Sequence, residues 1–405
     1  MIREFTIENF KSIESLTLPL GRVTVLIGEN GAGKSNVLEA VGYFAASTHE
    51  KMDPEFLRAR GIRESGIDTI VSGFKRNTPR EFRLAGKNEQ DKSCDLTFTP
   101  PGKGDGSDWM VSNTIQNQIT KSKRRLDLRF TMEQLEQFRQ AAANIEKNGR
   151  VKKGGSKLTA IVEKMIPTIA ASGARYLEML ASGKEMFEHP FVIYSPENTA
   201  LRTFEAEGQI RPLGVRGEGL FKLVQHFAEH QPAKFKLLRK ELKLFDWFED
   251  FAIPKRLGIG ESRLEIKDRF LAAKRLLDQR SANEGFLFLL FYLTLFISHA
   301  TPAFFAIDNV DASLNPKLVT TMIEQLVQLA AKHDKQVIFT THNPAVLDGL
   351  DLADSEQRLF VTERGKDGAT RLRRVEAPKP LDGDAPVPLS EAFVRGYLGG
   401  LPKNF

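Results

Sequence analysis

The chain has 405 residues, 41% apolar and 27% charged, and its 58 Lys and Arg against 52 Asp and Glu leave a net charge of +6. That length holds two or three domain-sized units with a substantial core, and 31 Gly with 19 Pro is near average usage, which excludes a collagenous or broadly disordered chain. One cysteine, Cys94, excludes an internal disulfide framework and a cysteine-built zinc site, so a reducing, cytoplasmic setting is expected.

The opening residues Met1-Ile2-Arg3-Glu4-Phe5 lack the basic-then-apolar pattern of a signal peptide. Short strand-like runs, Phe5–Ile7 and Leu16–Leu18, precede Arg22-Val23-Thr24-Val25-Leu26-Ile27, a nearly continuous β-branched strand. A glycine-rich turn follows. From Ser35 to Ala46 the apolar positions Val37, Leu38, Val41 and Phe44/Ala45 recur at helical spacing. Between Ile67 and Glu188 strand-like pieces give way to a Pro/Gly-rich stretch at 100–106 and then to basic helical sequence, the pattern of an insertion. Core-like sequence returns at Phe191–Tyr194. Amphipathic charged segments run from Leu220 to Phe251, and Phe286–Ile297 is an apolar run too short to span a bilayer of about 30 Å, so it predicts a buried helix. Three strand candidates close the series: Ala303–Ile307, Gln336–Thr340 and Arg358–Thr362. Strands alternating with helices predict an α/β layer fold with a largely parallel sheet.

Gly28-Glu29-Asn30-Gly31-Ala32-Gly33-Lys34-Ser35 fits G-x-x-x-x-G-K-[ST] between a strand and a helix. Its glycines let backbone N–H groups turn toward phosphate oxygens, and the helix N-terminus adds a positive dipole end. Lys34 would reach the β- and γ-phosphates of ATP, and Ser35 would ligate Mg²⁺. A second Mg²⁺ ligand belongs at the end of another buried strand, and Phe304–Ile307 ends in Asp308. A third polar strand end, Thr340-Thr341-His342-Asn343, follows Val337–Phe339.

With these motifs goes Ile7-Glu8-Asn9-Phe10-Lys11-Ser12 near the start and Ser313-Leu314-Asn315-Pro316 after Asp308. In this order they resemble ABC-type ATPases of the RecF/SMC/Rad50/OLD branch. The resemblance implies an ABC-type P-loop NTPase head with a mixed or parallel sheet and an inserted, mainly helical subdomain. Lobe I would be 1–70 and 190–220, the basic insertion 71–189, a helical segment 221–270, and lobe II 271–405. It places Lys11, Ser12 and Gly28 to Asn36 (Asn30, Gly31, Ala32, Gly33, Lys34 and Ser35 among them) at the nucleotide. It makes Asp308 the Walker B carboxylate, Ser313–Asn315 the D-loop and His342 the switch histidine. It also implies a head-to-tail homodimer, with ATP between the loop of one head and the signature segment of the other.

That segment is Arg280-Ser281-Ala282-Asn283-Glu284-Gly285, where Ser281 or Asn283 stands for the family serine beside Gly285, or either caps the following helix. After Asp308 the family usually has Glu; this chain has Asn309, which orients a water without accepting its proton, so slow hydrolysis is expected. Asp311 or His342 is the alternative base. The family's lid glutamine has no clear match, and Asn198 and Gln209 are the candidates.

Basic clusters at 121–125, 147–157 and 58–63 are either solvated faces or a phosphate-tracking groove for DNA or RNA. The apolar segment 389–405 resembles the closing Gly-Gly-x-Pro-x-x-Phe of AAA-15/AAA-21-like ATPases and is expected to dock on the head. Such small ATPases often belong to anti-phage systems. Because 363–405 is shorter than a usual domain, the implied effector, a nuclease or toxin, is expected on a separate polypeptide. No membrane partner is expected; a larger assembly than a dimer stays open. A RecF-like repair ATPase that binds DNA is the rival.

Overall fold

The structure, a computed structural model, describes residues 1–49, 51–74, 80–100, 110–112, 187, 191–208, 210–258, 260–272, 274–377 and 387–400. The basic clusters 121–125 and 147–157, Gln209 and residues 401–405 lie outside them.

Strands β1 (Ile2–Phe10) and β2 (Ile13–Pro19) form a hairpin around Lys11 and Ser12, and β3 (Val23–Ile27) is buried at every position. Helix α1 (Lys34–Thr48) begins directly after the glycine loop, with short helices α2 (Pro54–Ala59) and α3 (Ile67–Ile70) behind it. Then come β4 (Phe82–Asn88), β5 (Ser93–Thr99), β6 (Met110–Ser112), β7 (Ile193–Tyr194), α4 (Asn198–Thr203), α5 (Leu220–His230) and α6 (Pro232–Glu241). Beyond them lie β8 (Phe248–Ala252), β9 (Glu265–Asp268), α7 (Glu284–Ile297), β10 (Phe304–Ile307), α8 (Pro316–Lys332), β11 (Gln336–Thr341), β12 (Gln357–Arg364), β13 (Thr370–Val375) and α9 (Leu389–Val394).

A six-stranded sheet, ordered β13-β12-β3-β11-β10-β7, forms the centre. β12, β3, β11, β10 and β7 run parallel, and β13 returns antiparallel along β12. Alternation along each strand divides its side chains between two cores. Val25, Ile27, Phe305, Ile307, Val337 and Phe339 face a layer built from α5, α6, α7 and α8. Leu26, Ala306, Ile338 and Phe360 face α1 and the antiparallel sheet β2-β1-β4-β5-β6. The expected apolar helix is α7, buried over Gly285–Ile297 because it packs on the sheet with other helices around it. The result is a mixed α/β fold of three layers.

Two of the expected segments contain strands among their described residues. Of the span 71–189, expected to be mainly helical, residues 82–88 and 93–99 are strands that extend the β1 sheet. The reason is their period of two: Phe82, Leu84, Cys94, Leu96 and Phe98 are buried while Arg83 and Asp95 pair on the other face. Within 221–270, the β8–β9 hairpin follows the helices. Toward the end of the chain, Phe393 of α9 enters the helical-layer core and Ser390 bonds Asp348.

Among the described residues no helix is long and apolar enough to cross a membrane, and no three-residue group of His, Cys, Asp or Glu is arranged to hold a metal ion.

Candidate functional site

The parallel strands β3, β10 and β11 end side by side, which brings three polar strand ends together. Between β3 and α1 the chain turns through Gly31 (φ 80°) and Gly33 (φ 106°). Both angles are left-handed, where glycine carries no Cβ penalty. At Gly33 a Cβ would also lie 2.1 Å from Thr370 Oγ1.

Lys34 folds back so that Nζ donates to the carbonyls of Gly28 (2.7 Å) and Glu29 (3.0 Å). Burial lowers its pKa from the ordinary lysine value, outweighing the nearby carboxylates of Asp308, Asp311 and Glu29. Ser35 Oγ donates to Asp308 Oδ2 at 3.2 Å, although 273 residues separate them. The other Asp308 oxygen accepts from Thr340 Oγ1, and Thr341 Oγ1 donates to Asp311 at 2.5 Å. A hydroxyl and a carboxylate at this spacing form a hard-oxygen pair suited to Mg²⁺.

Asn309 is exposed, with φ 55°, and its N–H donates to Thr340 Oγ1. Asparagine tolerates this conformation better than most side chains, which gives Asn309 a backbone reason to stand at this turn. His342 is exposed one residue beyond β11.

Lys11 and Ser12 pack against the start of α1. Lys11 Nζ is ion-paired with Glu39, a carboxylate with 1% exposure, whose other oxygen takes Arg63 Nε at 2.5 Å. Ser12 Oγ accepts from Asn36 Nδ2 (2.6 Å) and shares a hydrogen bond with Thr370 Oγ1 (2.7 Å). The β12–β13 hairpin grips the loop from outside: Arg364 Nε donates to Gly31 O at 2.9 Å and Thr370 Oγ1 to Ala32 O at 2.9 Å. Sequence reasoning missed Thr370, Arg364 and Glu39, of which only Glu39, an acid on the inward side of α1, carried a local signal; Arg63 was flagged as part of the basic cluster 58–63, and the structure puts it on Glu39.

The signature candidates form a second group at the start of α7. Asn283 caps that helix, its Oδ1 accepting from Gly285 N at 2.9 Å, while Ser281 N donates to Asp278 Oδ1 at 2.9 Å. Arg202 of α4 donates to the Arg280 and Ala282 carbonyls (2.5 and 3.0 Å) and holds the turn. Glu284 bonds Ser313, and a Cβ on Gly285 would meet Leu314 at 2.7 Å, so the signature and D-loop candidates lie against each other. Asn315 caps α8. Asn198 begins α4 and accepts from Arg202 at 3.2 Å.

Known proteins resemble this chain in sequence and in fold. A family model described as "AAA ATPase domain" matches residues 1–250, and one described as "AAA domain, putative AbiEii toxin, Type IV TA system" matches 227–348. The chain is 33% identical over 84 residues to a DNA replication and repair protein RecF of Rhodococcus erythropolis, covering 20% of each protein. It is 34% identical over 91 residues to a DNA double-strand break repair Rad50 ATPase of Sulfurisphaera tokodaii, covering 20% of this chain and 10% of that one. These matches span a fifth or less of the relatives' own length. In fold, the chain is similar to an SMC head crystallised with the C-winged helix domain of ScpA, with a TM-score of 0.52 at 14% identity over 93% of this chain and 98% of that one.

Proposed function

We propose, for a chain that belongs to the AAA ATPase domain family in its ABC-type RecF/SMC/Rad50/OLD branch, that it is a slow ATP-gated switch whose two heads close on ATP. The observation that carries this reading is the Ser35–Asp308 contact, which joins the phosphate loop to the end of β10.

Phosphate oxygens entering the loop would meet its N–H groups and displace Lys34 from the Gly28 and Glu29 carbonyls, so that the ammonium exchanges two neutral acceptors for an anion. Ser35 and Asp308 would hold Mg²⁺, which neutralises phosphate charge when bound. Thr340 orients Asp308, and Thr341 does the same for Asp311. Asn309 positions a water without accepting its proton. Losing general-base help of about 10²–10⁴ in rate slows turnover and prolongs the closed state. The adjoining signature and D-loop candidates offer one surface, at the N-terminus of α7, to the γ-phosphate held by a second copy.

A sensor or regulatory role in prokaryotic anti-phage defence, acting on a separate nuclease or toxin, is supported by the family model whose description includes a putative toxin of a type IV system. The RecF match supports a second reading, ATP-dependent DNA binding.

The test measures phosphate release and light-scattering mass together. ATP should produce a dimer in the wild type with slow turnover; Lys34→Ala should abolish both, and Asn309→Glu should raise turnover. Fast turnover unaffected by Asn309→Glu overturns the slow switch. Challenge of phage-infected cells carrying wild-type or Lys34→Ala protein separates defence from repair, since only defence predicts loss of protection.

A further inference from the structure

A cavity of about 750 Å³ opens between α6, the turn at Leu242–Leu244, β8 and the C-terminal end of α8. It lies at the opposite end of α8 from the D-loop candidate, and 17 helical residues span about 25 Å, so it is separate from the phosphate loop. We propose that this cavity is a second anion site that takes a multiply charged phosphate ligand. This reading does not rest on the function proposed above.

Lys234, Lys236, Lys240, Lys243 and Lys332 line it from three different elements. Lys240 lies 4.0 Å from Glu241; among the described residues the other four have no ion-pair partner within 4.0 Å. The two carboxylates in the wall are already engaged: Glu249 by Lys267 at 2.5 Å and Asp250 by Arg239. A lysine in the last turn of a helix complements its dipole, which accounts for Lys332 alone. Lysines along one helix face point to solvent, but here lysines of three elements border one concavity and set up a positive field there.

His333 records that field. Its pKa is pushed down to about 4, by burial first and then by Lys332, His299, Lys234 and Lys335. His299 is lowered as well, chiefly by Lys234. An anion in the cavity offsets that field. Phosphate fits better than carboxylate, because the free cations are lysine point charges while the one arginine fork is occupied by Asp250. Two sources carry that chemistry: a free oligophosphate and a nucleic-acid backbone.

Inorganic tripolyphosphate is titrated calorimetrically into full-length Lys34→Ala protein, whose phosphate loop is disabled, with and without the exposed pair Lys236→Gln and Lys243→Gln. The pair should weaken binding by about tenfold or more. In the otherwise wild-type chain the same pair should leave binding of a fluorescent ATP analogue unchanged, so failure here is distinct from failure of the ATP site. In NMR titrations, bound tripolyphosphate should raise the His333 pKa. Unchanged affinity in the lysine variant overturns the proposal, as does polyglutamate binding as tightly as tripolyphosphate. Displacement by a short mixed-sequence oligonucleotide identifies a phosphodiester backbone as the source; retention of tripolyphosphate identifies a free ligand.

Discussion

Lys34 buries an ammonium against two carbonyls of its own loop, and burial lowers its pKa. The sign follows from linkage: a lysine with a depressed folded pKa is bound to its proton more tightly in the unfolded chain. Its charge therefore disfavours the fold fully below the folded pKa, and the penalty disappears as pH rises through the unfolded value. Lys34→Met keeps the apolar stem and removes the charge. Nucleotide affinity should fall by about 10–100-fold while the melting temperature at neutral pH does not fall, checked by fluorescence titration and calorimetry. The motif made Lys34 and Ser35 legible, since G-x-x-x-x-G-K-[ST] is a local pattern. Asn309 was legible only as a departure from a family; its left-handed backbone is a property of the turn after β10 and needs the folded chain.

At the scale of elements, the β12–β13 hairpin braces a loop more than 300 residues earlier in sequence. Thr370 contributes most, with its hydroxyl on Ala32 O and Ser12 Oγ and its N–H on Ser12 O at 2.7 Å. Thr370→Val keeps the shape and β propensity but leaves the Ala32 carbonyl without its donor and the Ser12 hydroxyl without its acceptor, at about 1–3 kcal/mol. ATP affinity should drop with little change in the overall CD spectrum; an unaltered affinity would separate the hairpin from the nucleotide site. Strands of strict period two or continuous burial, such as β3 and β11, were legible because local patterning forms them. β4 and β5 were legible as strand-like pieces, but their place in the first sheet was not, because it rests on their pairing with β1 and with each other.

At the scale of the molecule, the central sheet separates a helical core from one built around α1 and the antiparallel sheet. Cys94 lies in the second, fully buried, and burial pushes its thiol up to about 12. Labelling by a thiol reagent at pH 8 should therefore wait on opening of that sheet. If ATP binds the head, ATP at about 100 times its Kd should stabilise the fold by about 2.7 kcal/mol and slow labelling about 100-fold where opening is global. Labelling unaffected by ATP would mean that the antiparallel layer opens on its own. The amino-acid sequence by itself determined the α/β class and the buried helix, which rest on short-range periodicity, and it marked the G-x-x-x-x-G-K-[ST] loop and Asp308 as candidates. Only the tertiary structure decided that Ser35 meets Asp308, that Thr370 and Arg364 clasp the loop, and that five lysines from three elements line one cavity. Those contacts join residues far apart in the chain, and they exist only because the sheet order and the packing of helices on it place the strand and helix ends together.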